Sequence, residues 1–439
     1  MVSMRPVDVW DNTTTPAQGT EAVIMAVVAQ NASGWVLDAR SLFAQSYSRC
    51  IWGTGGHKTL VTCTFKSQCF QTERSHVSDK GEAGRAGNVD VISTRHDKKR
   101  KRKCTELNQG EIDIKAFHDK VRSVILEGTL ALVNSARACG YLNTPEECTQ
   151  DLGTLPECAL SDLCEMAKQL PLVDIEKQDT VAQALEGSST FHLDLFSRVT
   201  ENRSDTAAVV TLLGEEYVIP AQSAFLLSDF TRVQPLVSYG AKFDLIVIDP
   251  PWENKSVKRS RRYNALPSSQ LKNLPVPLLA SSDCLIVTWV TNRPSHLRFV
   301  RDELYPHWGV EVLAEWLWVK VTTSGQFVFP LDSKHKKTYE VLVLGRFSFT
   351  GNRSESTSSE SILIEDHRLI VSVPSTLHSQ KPQLSEVLKP YIRPSAKCLE
   401  LFARNLHPGW TSWGNEVLKF QHVSYFTMTP ADADAKFPT

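Results

Sequence analysis

No stretch of this chain is long and apolar enough to enter a bilayer as a helix. The longest nearly apolar run, residues 22–29, falls far short of the ~20 residues a span needs. It is also a poor secretory signal, because Glu21 directly precedes it and Asp8 and Asp11 accompany Arg5 upstream. A soluble protein without membrane attachment is expected. Regular cysteine spacing is missing too: the chain has ten cysteines and none forms a Cys-X-X-Cys pair. Cys63 with Cys69, or Cys158 with Cys164, would make metal ligands only at unusual spacing, so reduced structural thiols and no metal are expected. Charge of one sign is lacking as well, with 48 basic against 49 acidic residues. A polyanion therefore has to be met by local basic patches. Finally there is no phosphate loop. Residues 53–59 superficially resemble one, but Trp52 and His57 stand where the pattern requires glycine, which argues against a nucleotidase.

The segments that remain differ in character. Residues 1–105 are rich in Ser, Thr, Gly and Asn with short-lived periodicity, and predict a mostly disordered leader. It closes on six consecutive cations, Lys98 to Lys103, which suit a nuclear import signal and non-specific phosphate contacts. Residues 106–205 predict a small helical region, with helices over 109–136, 160–170 and 179–199. Residues 206–425 turn to strands and helices, and 426–439 form a tail. A hairpin is predicted at 208–219. Continuous apolar strands follow at 243–248, 284–290, 310–319, 339–344, 369–373 and 398–402, with helices at 294–304 and 382–391. Apolar runs of this length suit a sheet covered on both faces, and the alternation predicts a doubly wound, Rossmann-like α/β domain.

In such sheets ligands bind outside the carboxyl ends of the strands. The strand at 243–248 runs directly into Asp249-Pro250-Pro251-Trp252. Two prolines fix φ and remove N–H donors, so the turn offers a carboxylate and carbonyl oxygens. An exocyclic amine needs such acceptors, because its lone pair is delocalised into the ring and must be drawn toward tetrahedral geometry before attack on a methyl sulfonium. Trp252 offers a face for a flipped-out base, a contact of about 1–3 kcal/mol.

This tetrapeptide on this strand resembles the MT-A70 family of adenine-N6 methyltransferases. The similarity spans residues 225–420 and includes Leu227-Ser228-Asp229, Thr288 to Asn292, Ala314 to Lys320, His378 to Pro382, Leu399 to Arg404 and Gly409 to Glu416. It implies S-adenosyl-L-methionine as cofactor and a permuted order, with the catalytic turn ahead of the cofactor loop. Asp249 would hold amino groups of substrate and cofactor, Pro250 and Pro251 the turn, and Trp252 the stacking face. Lys381 would pair with the cofactor carboxylate, and Asp229 with Phe230 would meet its adenine. Arg404, Asn415 and Glu416 would reach its ribose, beside Phe402 at the strand end. Ala403 departs from the glycine many relatives carry, and the loop between Arg404 and Trp410 is short.

Beside the turn lie Lys255, Lys258, Arg259, Arg261 and Arg262, suited to gripping phosphates, with Lys334 to Lys337 as a second basic patch. Asn292 and Arg293 are candidates for nucleoside contact. The resemblance implies RNA as substrate, in particular a 2′-O-methylated adenosine of a small nuclear RNA, with DNA adenine as the alternative. A monomer is expected. Two rivals differ in class: a catalytically silent partner subunit, which would lack Asp249 or Lys381, and a small-molecule amino-methyltransferase, which would not need the cations at 255–262.

Overall fold

The computed structural model describes residues 26–53, 58–72, 108–143, 160–170, 182–185, 193–253, 266–333, 336–348 and 362–430. Seventeen strands occur among them. The N-terminal ones are β1 (Val27–Asn31), β2 (Gly34–Leu37), β3 (Cys50–Trp52) and β4 (Thr59–Phe65), followed by β5 (Ala182–Ala184), β6 (Val199–Asn202), β7 (Ala207–Leu212), β8 (Glu215–Ile219) and β9 (Ser223–Leu227). Then come β10 (Phe243–Ile248), β11 (Ala280–Val290), β12 (Val310–Lys320), β13 (Tyr339–Phe347), β14 (Leu369–Ser372), β15 (Cys398–Leu401), β16 (Trp410–Gly414) and β17 (Phe426–Pro430).

Twelve of these strands form one sheet in the order β1-β2-β14-β12-β13-β11-β10-β15-β16-β9-β6-β5. β10 lies between β11 and β15 and is parallel to both, so all six of its residues are buried. Along it the side chains alternate between two cores. Ile246 and Ile248 join one core together with Ile286 and Leu399, while Leu245 and Val247 join the other with Trp289 and Leu344. β13 runs antiparallel to both β11 and β12, which restores one direction. The carboxyl ends of β2, β14, β12, β11, β10, β15, β16 and β9 therefore share one edge of the sheet.

Helix α2 (Gln109–Ala138) covers one core with Val121, Ile125, Leu132 and Val133. It begins at a capping box, in which the Asn108 side chain accepts the Glu111 N–H at 3.1 Å and Glu111 accepts that of Asn108 at 2.9 Å. The helix expected at 294–304 continues to Trp308. Its Phe299–Leu304 stretch widens to π geometry just ahead of Pro306, which has no N–H to return to the preceding turn.

The leader expectation does not hold for residues 27–70. β1 and β2 form a hairpin whose second strand pairs in parallel with β14, Gly34 against Leu369 through Leu37 against Ser372. Helix α1 (Ala39–Ser46) follows. β3 and β4 enter a second sheet, ordered β17-β4-β3-β7-β8, that closes over Phe43, Tyr47, Phe65 and Phe426. These strands are short, and apart from the β1–β2 and β3–β4 pairs their partners, β14, β7 and β17, lie far away in sequence, where local periodicity does not reach. For the same reason residues 426–430 are not a tail: β17 pairs antiparallel with β4.

The helical region is also corrected. α2 matches closely and α3 (Leu160–Ala167) matches in part. Of the third expected helix, residues 179–181 and 186–192 lie outside the described residues; the rest holds β5 and the start of β6, an edge pair in which Gln183 bonds the Asp194 carbonyl and Thr200. Cross-strand pairing there outweighs a helical pattern of apolar residues. The hairpin expected at 208–219 is β7 with β8. β9 and β16 are additions to the expected strands; β16 buries Thr411 and Ser412 among its tryptophans and so does not read as an apolar run. The basic run Lys98 to Lys103 lies outside the described residues.

Candidate active site

Asp249 leaves β10 at the shared edge, buried, with its N–H bonded to the Leu401 carbonyl of the neighbouring strand at 3.2 Å. Its carboxylate is held by two cations. Lys381 Nζ lies 3.2 Å from Oδ1, and Arg404 Nη1 donates to Oδ2 at 2.7 Å. Lys381 comes from the loop after β14 and Arg404 from the loop after β15, so the sheet brings together residues more than a hundred positions apart. The ion pairing extends on both sides. Lys381 also meets Glu340 at 3.4 Å, and Glu340 bonds Lys320. Arg404 Nε meets Glu416 at 3.2 Å, and Glu416 holds Lys419 at 2.8 Å. Lysine, glutamate, lysine, aspartate, arginine, glutamate and lysine thus alternate in sign across the edge.

Burial of this kind disfavours charge unless partners compensate it. Burial works against the Lys381 ammonium, but Asp249 and Glu340 outweigh it and hold the group charged above the usual lysine range. Burial likewise opposes the Glu340 carboxylate, while Lys320 and Lys381 overcome it and bring it down to about 2. Lys381 lies 5.5 Å from the Trp289 ring centre and Lys320 4.4 Å from that of Trp318, so indole faces back both ammonium groups. Glu340 is absent from the residues that sequence reasoning singles out. The available signal is an acid inside an otherwise apolar strand.

The proline turn behaves partly as expected. The Pro250 carbonyl accepts the Trp252 N–H at 2.8 Å and the Pro251 carbonyl accepts that of Leu266 at 3.3 Å, which leaves each oxygen one lone pair. Trp252 is placed differently from the expectation of an open stacking face. Its indole N–H donates to the Trp289 carbonyl at 2.8 Å, which draws the ring into the core. One face stacks on His296, with centroids 4.7 Å apart and planes 18° from parallel. His296 is buried there, and burial, with Arg293 nearby, lowers its pKa to about 4, so it is neutral near pH 7. Trp252 thus fixes the turn in place.

The cofactor residues divide into two groups. Asp229 accepts the Thr231 N–H and hydroxyl, each at 2.9 Å, and pairs with Lys168 of the loop after α3 at 3.2 Å. Phe230 lies nearly parallel to Phe402, with centroids 6.4 Å apart, and Phe402 leans on Trp413. Phe402 holds φ +60°, a conformation costly for a residue with a side chain, at the point where β15 gives way to the Arg404 loop. Arg404, assigned to the ribose from the sequence, instead ties Asp249 to Glu416. Asn415 follows β16, and its carbonyl faces the Cys164 thiol at 3.7 Å.

On the substrate side, Asn292 bonds the Tyr339 carbonyl through its amide nitrogen while its buried Oδ1 has no partner. Arg293 donates to the Glu253 carbonyl at 3.1 Å and so ties the end of β11 to the catalytic turn. Lys255, Lys258, Arg259, Arg261 and Arg262 lie outside the described residues, as do Lys334 and His335. Among the described residues no cluster of His, Cys, Asp and Glu could hold a metal, and no helix is long and apolar enough to cross a membrane.

The parallel-centred sheet, with a charge-compensated acid and cations at its carboxyl edge, belongs to a mixed α/β methyltransferase-like domain. The MT-A70 family model matches residues 243–416. The N(6)-adenine-specific methyltransferase METTL4 of Homo sapiens is 55% identical over 336 residues, which cover 75% of this chain and 71% of that protein. That of Mus musculus is 49% identical over 378 residues, covering 82% and 80%. The N6-methyladenosine RNA methyltransferase MTA1 of Pyricularia oryzae is 35% identical over 231 residues, covering 50% and 59%. The chain belongs to the MT-A70 family and is an S-adenosylmethionine-dependent adenine-N6 methyltransferase.

The donor set fits that cofactor. Asp249 offers acceptors for its amine, Lys381 a cation for its carboxylate, Glu416 acceptors for its ribose hydroxyls, and Phe230 with Phe402 an apolar wall for its adenine. Gly414 marks how closely the cofactor loop packs. A Cβ there would fall 2.9 Å from the Ala403 carbonyl oxygen.

Proposed function

We propose that the substrate is RNA, and specifically a 2′-O-methylated adenosine of a small nuclear RNA. The observation that carries the chemistry is the Asp249 carboxylate, buried at the strand end between Lys381 and Arg404. Bound S-adenosylmethionine supplies an electrophilic methyl carbon. Asp249 accepts one N–H of the adenine amine, and the free lone pair of the Pro250 carbonyl accepts the other. Both bonds would draw the nitrogen lone pair out of conjugation with the ring. Transfer would form the N–C bond as the S–C bond breaks, its electron pair staying on sulfur as the neutral thioether, and Asp249 would accept the proton that the methylated amine gives up. Trp252, locked on His296, keeps the acceptor turn rigid, and rigidity of this kind is where positioning lowers a barrier.

The RNA assignment is supported by the RNA methyltransferase named for the Pyricularia relative and by the cations flanking the turn in sequence. The basic run Lys98 to Lys103 supports import into the nucleus, where such RNA is found. The deciding experiment is transfer of labelled methyl from S-adenosylmethionine to RNA and DNA oligonucleotides, with and without 2′-O-methyl on the target, beside Asp249→Ala. Transfer to the 2′-O-methylated RNA that is lost in the variant is expected. Preference for DNA, or for the unmodified adenosine, would overturn the substrate assignment. Cofactor binding without transfer would favour a partner subunit role.

A further inference from the structure

Beyond Lys381, on the same edge of the sheet, lies a cavity of about 270 Å³. Its floor is formed where β12 and β14 end, at Thr323 and Val373, and its walls come from the start of α1, the turn after β4 and the turn after α2. Ala39, Phe70 and Val373 also line a narrow crevice that reaches Gln380 and Lys381. Lys381, at the far end of that crevice, touches Asp249, so the crevice lies between the cavity and the acceptor centre.

The chemistry of the lining is mixed. Arg40 is exposed at the rim, close enough to the Tyr141 hydroxyl to act on it electrostatically. Asp38 also lines the cavity and acts on the same hydroxyl with opposite sign, while its carboxylate accepts both the N–H and the hydroxyl of Ser41 in the first turn of α1. Two polar groups at this end of the site have no partner: the buried Thr323 hydroxyl on the floor, and both amide atoms of Gln380 in the crevice. Buried polar groups are nearly always bonded, so such atoms beside a cavity mark what a ligand or water would satisfy. At about 270 Å³ the cavity lies just below the range of drug-sized ligand sites, which starts near ~300 Å³, and so admits only a small group such as a single base.

We propose that this cavity binds the nucleotide adjacent to the methylated adenosine, with its phosphate on Arg40, its base against Tyr141 and the base edge bonded to Thr323. The proposal rests on the nucleic-acid reading above. It also gives the N-terminal segment a function, since that segment supplies Arg40 and two of the walls.

The test uses the full chain and kinetics on two substrates, a short oligonucleotide containing the target adenosine and the free 2′-O-methyladenosine nucleoside. Arg40→Ala should raise KM for the oligonucleotide about tenfold with kcat retained, and should lower the slope of log KM against log salt by about one, as for one lost phosphate contact. On the nucleoside it should match the wild type. Thr323→Val, which removes the hydroxyl at constant shape, should raise oligonucleotide KM severalfold, and an abasic site at one position next to the target should abolish that difference. Unchanged KM and salt slope in both variants, with wild-type transfer intact, would overturn the subsite and leave the substrate assignment standing. No wild-type transfer to any oligonucleotide would overturn the nucleic-acid reading, and the subsite with it.

Discussion

Asp249 is flanked by two cations, so what replaces it matters as much as its loss. Asp249→Asn keeps the shape but removes the charge that neutralises Lys381 and Arg404. Methyl transfer is expected to fall by about 10²–10⁴, the range for removing a positioned acid–base group, in a labelled-methyl assay. The thermal midpoint should also drop, because two buried cations are left with one fewer counter-ion. His296 gives a pH prediction. Its folded pKa of about 4 lies below the ordinary 6.5. Above pH 6.5 the ring is neutral in both folded and unfolded states, and stability from this group does not change. As pH falls from 6.5 toward 4 the unfolded chain binds the proton more readily, so stability declines. His296→Phe, which keeps a ring against Trp252, should flatten that decline in thermal melts taken across this window.

At the scale of the element, β2 is the sharpest case. Gly34 opens it with φ +146°, and a Cβ there would sit 1.9 Å from the Leu369 carbonyl oxygen, a backbone atom of β14. Gly34→Ala therefore forces β2 away from β14. A destabilisation of about 2–4 kcal/mol by urea unfolding is expected, in the upper range for single substitutions. A change below ~0.5 kcal/mol, the level of an ordinary surface substitution, would mean that β2 contributes little to the sheet. The central strands were legible from sequence because each is a continuous apolar run such as Leu285 to Val287. The strands of the N-terminal segment were not, because four residues such as those of β2 join the sheet only against β14, more than three hundred positions away, which local pattern does not name. β5 made the same point in reverse, where a helical pattern yielded to pairing at a sheet edge.

At the scale of the whole molecule, the N-terminal segment is structural. β1 and β2 extend the main sheet, while β3 and β4 join β7 and β17 in a second sheet. Residues 106–439 expressed alone would expose the edge of β14 and strip Phe43, Tyr47 and Phe65 from their core. That truncation should be aggregated on gel filtration and lose cooperative melting, whereas a chain beginning at residue 24 should behave as the full length. Equal behaviour of the two would show the segment to be dispensable.

The sequence by itself determined the acceptor turn and the apolar strand that carries it, because these are written in contiguous residues whose chemistry is local, and through the family resemblance it gave the class of reaction. Tertiary structure alone decided the rest. It set Arg404 on Asp249 instead of leaving it free for a ribose, placed Glu340 behind Lys381, and turned Trp252 into the core against His296. It also recruited β1 to β4 and β17 into sheets. Each of these depends on which strands lie side by side, and pairing across hundreds of residues is fixed by the collective burial of the sheet's two faces, which no short window of sequence contains.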